Sequence, residues 1–368
     1  MSMKGKKSLL ILIILVLGLF LLYGCGGITG KATAVGAQPK IKIGALMPLS
    51  GDAAAYGENV KQGIELALQG TNFEVFYEDS KCDGPDAVNA VRKLIDVDGV
   101  VAVIGELCSG ATLSASPIAK EAGVVLISPA STSPDLSNAG DHFFRTVPSD
   151  ALQGVEAAKL VKRLGYNSLA VLYVNDDYGV GFDKVLRENF DNVVISESFE
   201  KESNDLRTQL TKIKEKNPEA IYIISNSPSS AGVALKQIKE LGITSQVFGS
   251  EGLKDESVLD AAEGAGEGIL LTFIAPSNTL IGRQFANEFK ETYNIEPPIF
   301  AAEAYDAVLA LNEAVLNSDG SRQGIMNAMK DISFEGASGK IDFDANGDVV
   351  KPYNVLIVEN GTFNEFAG

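Results

Sequence analysis

Ser109 and Thr132 each stand just past a β-branched run, 100–105 and 124–128, inside clusters of small hydroxyl residues. The first run continues Glu106-Leu107-Cys108-Ser109-Gly110-Ala111-Thr112 and the second Pro129-Ala130-Ser131-Thr132-Ser133-Pro134. An amphipathic segment, 113–121, joins them, so the unit reads strand–helix–strand. In parallel α/β sheets, ligands bind outside the carboxyl ends of the strands. Hydroxyls and free N–H groups at a helix start suit a small carboxylate. The chemistry on offer is anion binding without a basic side chain.

Enzyme chemistry has little to work with. His142 is the only histidine, so His-based triads and His-rich metal sites lack their parts. There is no Gly-x-Ser-x-Gly elbow and no phosphate-binding Walker loop. Gly264-Ala265-Gly266-Glu267-Gly268 misses the dinucleotide spacing and precedes a strand. The segment Asp342-Phe343-Asp344-Ala345-Asn346-Gly347-Asp348 fills part of a calcium-loop pattern, but position 12 is Tyr353. Asn346-Gly347 reads instead as a hairpin turn. No enzyme, metal or cofactor is expected.

The elements that must hold such a site alternate along the chain. Strands are expected at 41–47, 74–79, 100–105, 124–128 and 143–145, with helices at 57–69, 86–97 and 113–121. Ser149-Asp150 opens a second series as a helix N-cap. It has helices at 152–164, 180–190, 203–216 and 229–241, and strands at 169–174, 193–199, 220–225, 246–248 and 268–273. The last part holds helices 283–293 and 301–316, then strands 340–343 and 353–358. This alternation implies parallel sheets with right-handed crossovers. Two series imply two α/β lobes: 40–149 with 276–336, and 150–275 with 337–368. Returns of the chain near Ala275 and Gly336 would make a hinge with a cleft.

Composition fits that picture. An apolar share of 45% against 21% charged is that of a core-forming protein. The net charge of −17 argues against nucleic-acid binding, which needs basic patches, and suits an extracytoplasmic monomer. Lys4, Lys6 and Lys7 precede an apolar stretch, 8–24, spanning roughly 25 Å, short of the hydrocarbon core. Residues 1–24 therefore read as an export signal or a membrane anchor. Leu22-Tyr23-Gly24-Cys25 resembles a lipidation site at Cys25, and 25–39 reads as a flexible tether. Cys82 and Cys108 remain, as a disulfide if their strands are neighbours in an oxidising compartment, otherwise as free thiols.

A set of segments then becomes recognisable. It runs from Ile41-Lys42-Ile43-Gly44, Pro48-Leu49-Ser50-Gly51 and Tyr56-Gly57 through Val103-Ile104-Gly105 to Ile127-Ser128-Pro129-Ala130-Ser131-Thr132. Phe144-Arg145-Thr146, Asp177-Tyr178-Gly179, Gly249-Ser250-Glu251-Gly252 and Tyr305-Asp306-Ala307 continue it. In this order, over 40–365, the chain resembles the leucine/isoleucine/valine-binding protein family, the solute-binding components of ABC importers. The resemblance implies a type I periplasmic-binding fold and an amino acid held between the lobes for ABC permease subunits. Ser109 and Thr132 match positions that hold the ligand carboxylate, with Ser131 beside them. Ala130 and Glu251 match those that answer the ammonium. Tyr56, Tyr178 and Phe300 match the side-chain walls, and Cys82–Cys108 a disulfide of the family. Asn226 stands where the branched-chain binders offer a tyrosine, which suits a more polar side chain. An extracytoplasmic sensor signalling through a partner protein is the alternative reading.

Overall fold

The computed structural model describes residues 40–367. The expected signal or anchor, the tether and Cys25 lie outside the described residues. Five parallel strands form the first sheet: β1 (Ile41–Met47), β2 (Phe73–Asp79), β3 (Ala102–Gly105), β4 (Val125–Ser128) and β5 (Phe143–Arg145), in the order β2-β1-β3-β4-β5. β3 and β4 are buried throughout, as expected of strands covered on both faces by crossover helices.

The second series gives β6 (Leu169–Val174), β7 (Val193–Phe199), β8 (Ala220–Ile224), β9 (Gln246–Gly249) and β10 (Leu270–Ile274), all parallel. A small antiparallel hairpin follows, β11 (Ser333–Gly336) with β12 (Gly339–Asp342). Then β13 (Tyr353–Glu359) and β14 (Thr362–Glu365) return antiparallel to the second sheet, whose order is β14-β13-β10-β9-β8-β6-β7. Each sheet has its own apolar core. The helix Ala301–Leu316 packs on Ala54–Ala67, so closely that a Cβ on Gly63 would lie 2.1 Å from the Ala301 carbonyl oxygen.

Three expectations need correction. The helix expected to begin at residue 113 starts at Ser109. Ser-Gly-Ala-Thr reads as loop by propensity, yet Cys108 is an extended N-cap and Thr112 Oγ1 bonds back to its carbonyl. The second return, expected near Gly336, comes later, because Ile341, Phe343 and Val349 are in the first core. The hairpin turn is at Ala337-Ser338, clamped by Asp306, which accepts both backbone N–H groups at 2.7 and 2.8 Å.

The Asn346-Gly347 turn joins no ladder. It carries Gly347 O to the Arg145 N–H at 2.9 Å and Asp348 Oδ1 to Arg145 Nε at 2.6 Å. Arg145 is fully buried, and its remaining N–H groups donate to Ser133 O at 3.0 Å and Ser137 Oγ at 2.9 Å. One guanidinium thus ties β5, the hydroxyl-rich loop after β4 and the late turn together. Removing one partner of a buried pair strands the other charge. Asp348→Ala should lower unfolding free energy by about 3 kcal/mol in urea titration; a loss below roughly 1 kcal/mol, the range of surface pairs, would contradict this role.

Candidate functional site

Strand ends of the two sheets meet at a cavity of about 30 Å³. Its lining brings together Tyr56, Ser109, Ala130, Thr132, Tyr178, Asn226, Glu251 and Phe300, with Leu107, Cys108 and Gly252. Of the residues expected there, Ser131 alone is elsewhere. It is fully buried, its hydroxyl engaged with Glu106 O at 2.9 Å and Thr112 Oγ1 at 2.6 Å. Its place is in the loop's internal scaffold.

On the first-sheet wall, Ser109 opens its helix and Ala130–Thr132 follow β4. The first amides of a helix have no intrahelical acceptor and carry its positive end. Ser109 Oγ takes the Ser133 N–H at 3.1 Å, which joins the two hydroxyl clusters. Behind them stands Glu106, which the sequence reading passed over. Its carboxylate accepts from Ser80 Oγ at 2.7 Å and from the Cys108 N–H, and its carbonyl from Ser128 and Ser131 hydroxyls. One residue therefore pins the ends of β2, β3 and β4. Burial pushes its carboxyl up to about 7 against those hydrogen bonds, which pull the other way. An acid directly after a buried apolar strand was the available signal. The Cys82–Cys108 disulfide, with Cα atoms 5.4 Å apart, clips the same corner.

On the second-sheet wall, Glu251 begins a short 3₁₀ turn after β9. A Cβ on Gly252 would lie 2.2 Å from Ser225 O, so glycine lets this turn sit against the end of β8. Glu251 is 2% exposed, and Gln153 Nε2 donates to its Oε2 at 2.7 Å. Among the described residues it has no ion pair. Burial pushes its carboxyl up to about 7, with its own backbone N–H, Tyr178 and Gln153 offsetting part of the cost. Asp150 lies in the same region with both oxygens buried, its carboxyl facing the Thr132 hydroxyl. Burial first, then the Glu251 charge, holds its carboxyl well above the ordinary range. Gln153 and Asp150 were also missed, although an acid and an amide three apart on a helix's first turn share one face.

Aromatic groups close the remaining sides. Tyr56 and Phe300 meet edge to face at 6.1 Å, Phe300 in a left-handed conformation (φ 67°) that turns it off the helix start. Tyr56 Oη donates to Gly252 O at 2.7 Å, and Asp52 takes the Ser227 hydroxyl and the Ser229 N–H, both reaching across the cleft. Donors on one wall face an uncompensated carboxylate on the other. The arrangement suits a small zwitterion shielded from water.

A family model described as periplasmic binding protein matches residues 40–362. A leucine-, isoleucine-, valine-, threonine- and alanine-binding protein of Pseudomonas aeruginosa is 27% identical, covering 92% of this chain and 94% of the relative. A Leu/Ile/Val-binding protein of Escherichia coli is also 27% identical, with 95% of each covered. Among solved structures, a leucine-binding protein of Thermotoga maritima superimposes with a TM-score of 0.83 at 30% identity, covering 89% of this chain and 98% of that one. A branched-chain substrate-binding protein of Streptococcus pneumoniae in complex with isoleucine gives 0.81 at 30% identity, covering 88% and 97%.

The raised Glu106 carboxyl sets a pH dependence. Its native value of about 7 lies above the ordinary 4.5, so between those values the native state holds a proton that the unfolded chain has released. Its stabilising contribution is therefore full below 4.5 and lost as pH rises through 7. Glu106→Gln should show a smaller fall in urea midpoint between pH 5 and 7.5 than the parent. An unchanged fall would show that Glu106 is not responsible.

Proposed function

Because this chain belongs to the periplasmic binding protein family, we propose that it captures a free amino acid in the cleft outside the cytoplasm and hands it to an ABC permease. The observation that carries this is the pairing of a hydroxyl and helix-start wall with the buried Glu251 carboxylate, on opposite sides of one cavity. Ser109 and Thr132 hold the ligand carboxylate through hydroxyl and N–H donors. The Ala130 carbonyl and Glu251 take the ammonium, and Tyr56, Tyr178 and Phe300 enclose the side chain. Charge-assisted hydrogen bonds at both ends offset the desolvation of the zwitterion. The relatives named as binding leucine, isoleucine, valine, threonine or alanine support the substrate class.

The fold is the type I periplasmic-binding fold, with two α/β lobes. We assign 40–149 and 276 to about 350 to one lobe and the rest to the other, on the membership of the two apolar cores. Contacts such as Tyr56 to Gly252 form only when the lobes meet, so ligand favours closure by its greater affinity for the closed state. Residues 1–24 act as export signal, with lipid on Cys25 and 25–39 as tether to the outer face of the cytoplasmic membrane. The protein works as a monomer and carries out no reaction.

The test is thermal denaturation with each of the twenty amino acids, followed by calorimetry of those that stabilise. Ligand at a hundredfold excess over its Kd should add about 2.7 kcal/mol. Glu251→Gln keeps the shape but removes the counter-charge, and should weaken binding more than about tenfold while the variant still folds and melts cooperatively. No stabilisation by any amino acid would overturn the proposal, and full affinity in the variant would remove Glu251 from it.

A further inference from the structure

Asn226 lines the cavity, and its amide is oriented by what lies behind it. Nδ2 donates to Asp176 Oδ2 at 2.8 Å. That carboxylate accepts only, so a flipped amide would set two oxygens against each other. Asp176 is otherwise fully engaged: Lys201 Nζ lies 3.0 Å from Oδ2, and Oδ1 takes the Tyr178 and Gly179 N–H groups at 3.1 and 3.0 Å. The amide nitrogen is therefore committed, and what Asn226 has left is Oδ1. This oxygen is buried without a hydrogen-bond partner. The neighbouring Ser227 hydroxyl is turned to Asp52 and cannot serve it.

We propose that the side-chain end of the cleft selects a short amino acid whose side chain donates a hydrogen bond, a hydroxyl as in threonine or serine, with Asn226 Oδ1 as the acceptor. This rests on the amino-acid reading above and deepens it. An unpaired buried acceptor is costly, and an aliphatic side chain against Oδ1 would leave it so. A hydroxyl there repays that cost, and a site built to bond one discriminates against the analogue lacking it. A cationic side chain has no call on Asp176, which Lys201 already neutralises. The Tyr56 and Phe300 walls favour a compact group.

Threonine and valine differ by a hydroxyl for a methyl at nearly equal volume, so they separate this reading from shape alone. Calorimetry on the purified chain should give threonine at least about tenfold tighter than valine. In Asn226→Leu the two should come within about twofold, chiefly through weaker threonine binding. Valine equal to or tighter than threonine in the parent chain would overturn the assignment, and that comparison needs no variant to fold. Binding of alanine and valine without a threonine advantage refutes Asn226 alone. Binding of no amino acid refutes the amino-acid reading and this one with it.

Discussion

A carboxylate withdrawn from water with no cation beside it is an unusual thing for a fold to keep, and among the described residues Glu251 is one. Burial disfavours its charge, and an amide and a phenol offset only part of the cost. Asp150 compounds the imbalance from a helix start nearby. The opposing wall has the reverse character, with hydroxyls and a helix start in place of basic side chains. Each wall is poorly balanced by itself. A ligand carrying both charges at a fixed separation would complete the two together.

Much of the surrounding architecture serves to hold those walls in place. Glu106 gathers three strand ends through its carboxyl and its backbone carbonyl, the Cys82–Cys108 bridge closes the same corner, and Arg145 fastens the Ser131–Ser137 stretch from behind. The first-sheet wall is therefore braced from several sides by groups outside the cavity. On the other wall, Glu251 sits on a short turn whose glycine lets it pack against β8. Preorganised donors lose little entropy on binding.

The alternation of elements was legible because β-branched runs and amphipathic stretches differ in period. β5, β6 and β7 fall on the residues expected for them. The hydroxyl clusters at two strand ends were legible for the same reason, since strand ends in parallel sheets meet at one edge. What escaped depends on distant partners. Glu106 drew no role in the sequence because its partners, Ser80 and the Cys108 N–H, are brought to it by the fold. Asn346-Gly347 carried a strong hairpin signal, yet the partner of its turn is Arg145, far away in sequence. Ser131 shared its neighbours' composition but faces Thr112, a direction that sequence does not encode. The helices Glu256–Ala262 and Arg322–Met329 were missed because short helices leave little periodicity to read.

The proposal turns on the Glu251 carboxyl, raised by burial, giving up its proton to ionise against a ligand ammonium. Proton release answers this most directly, by calorimetry of amino-acid binding at pH 6 in buffers of different ionisation enthalpy. With the Glu251 carboxyl raised by burial before binding, protons should be released as ligand binds. Binding with no proton exchange, or with net uptake, would contradict it.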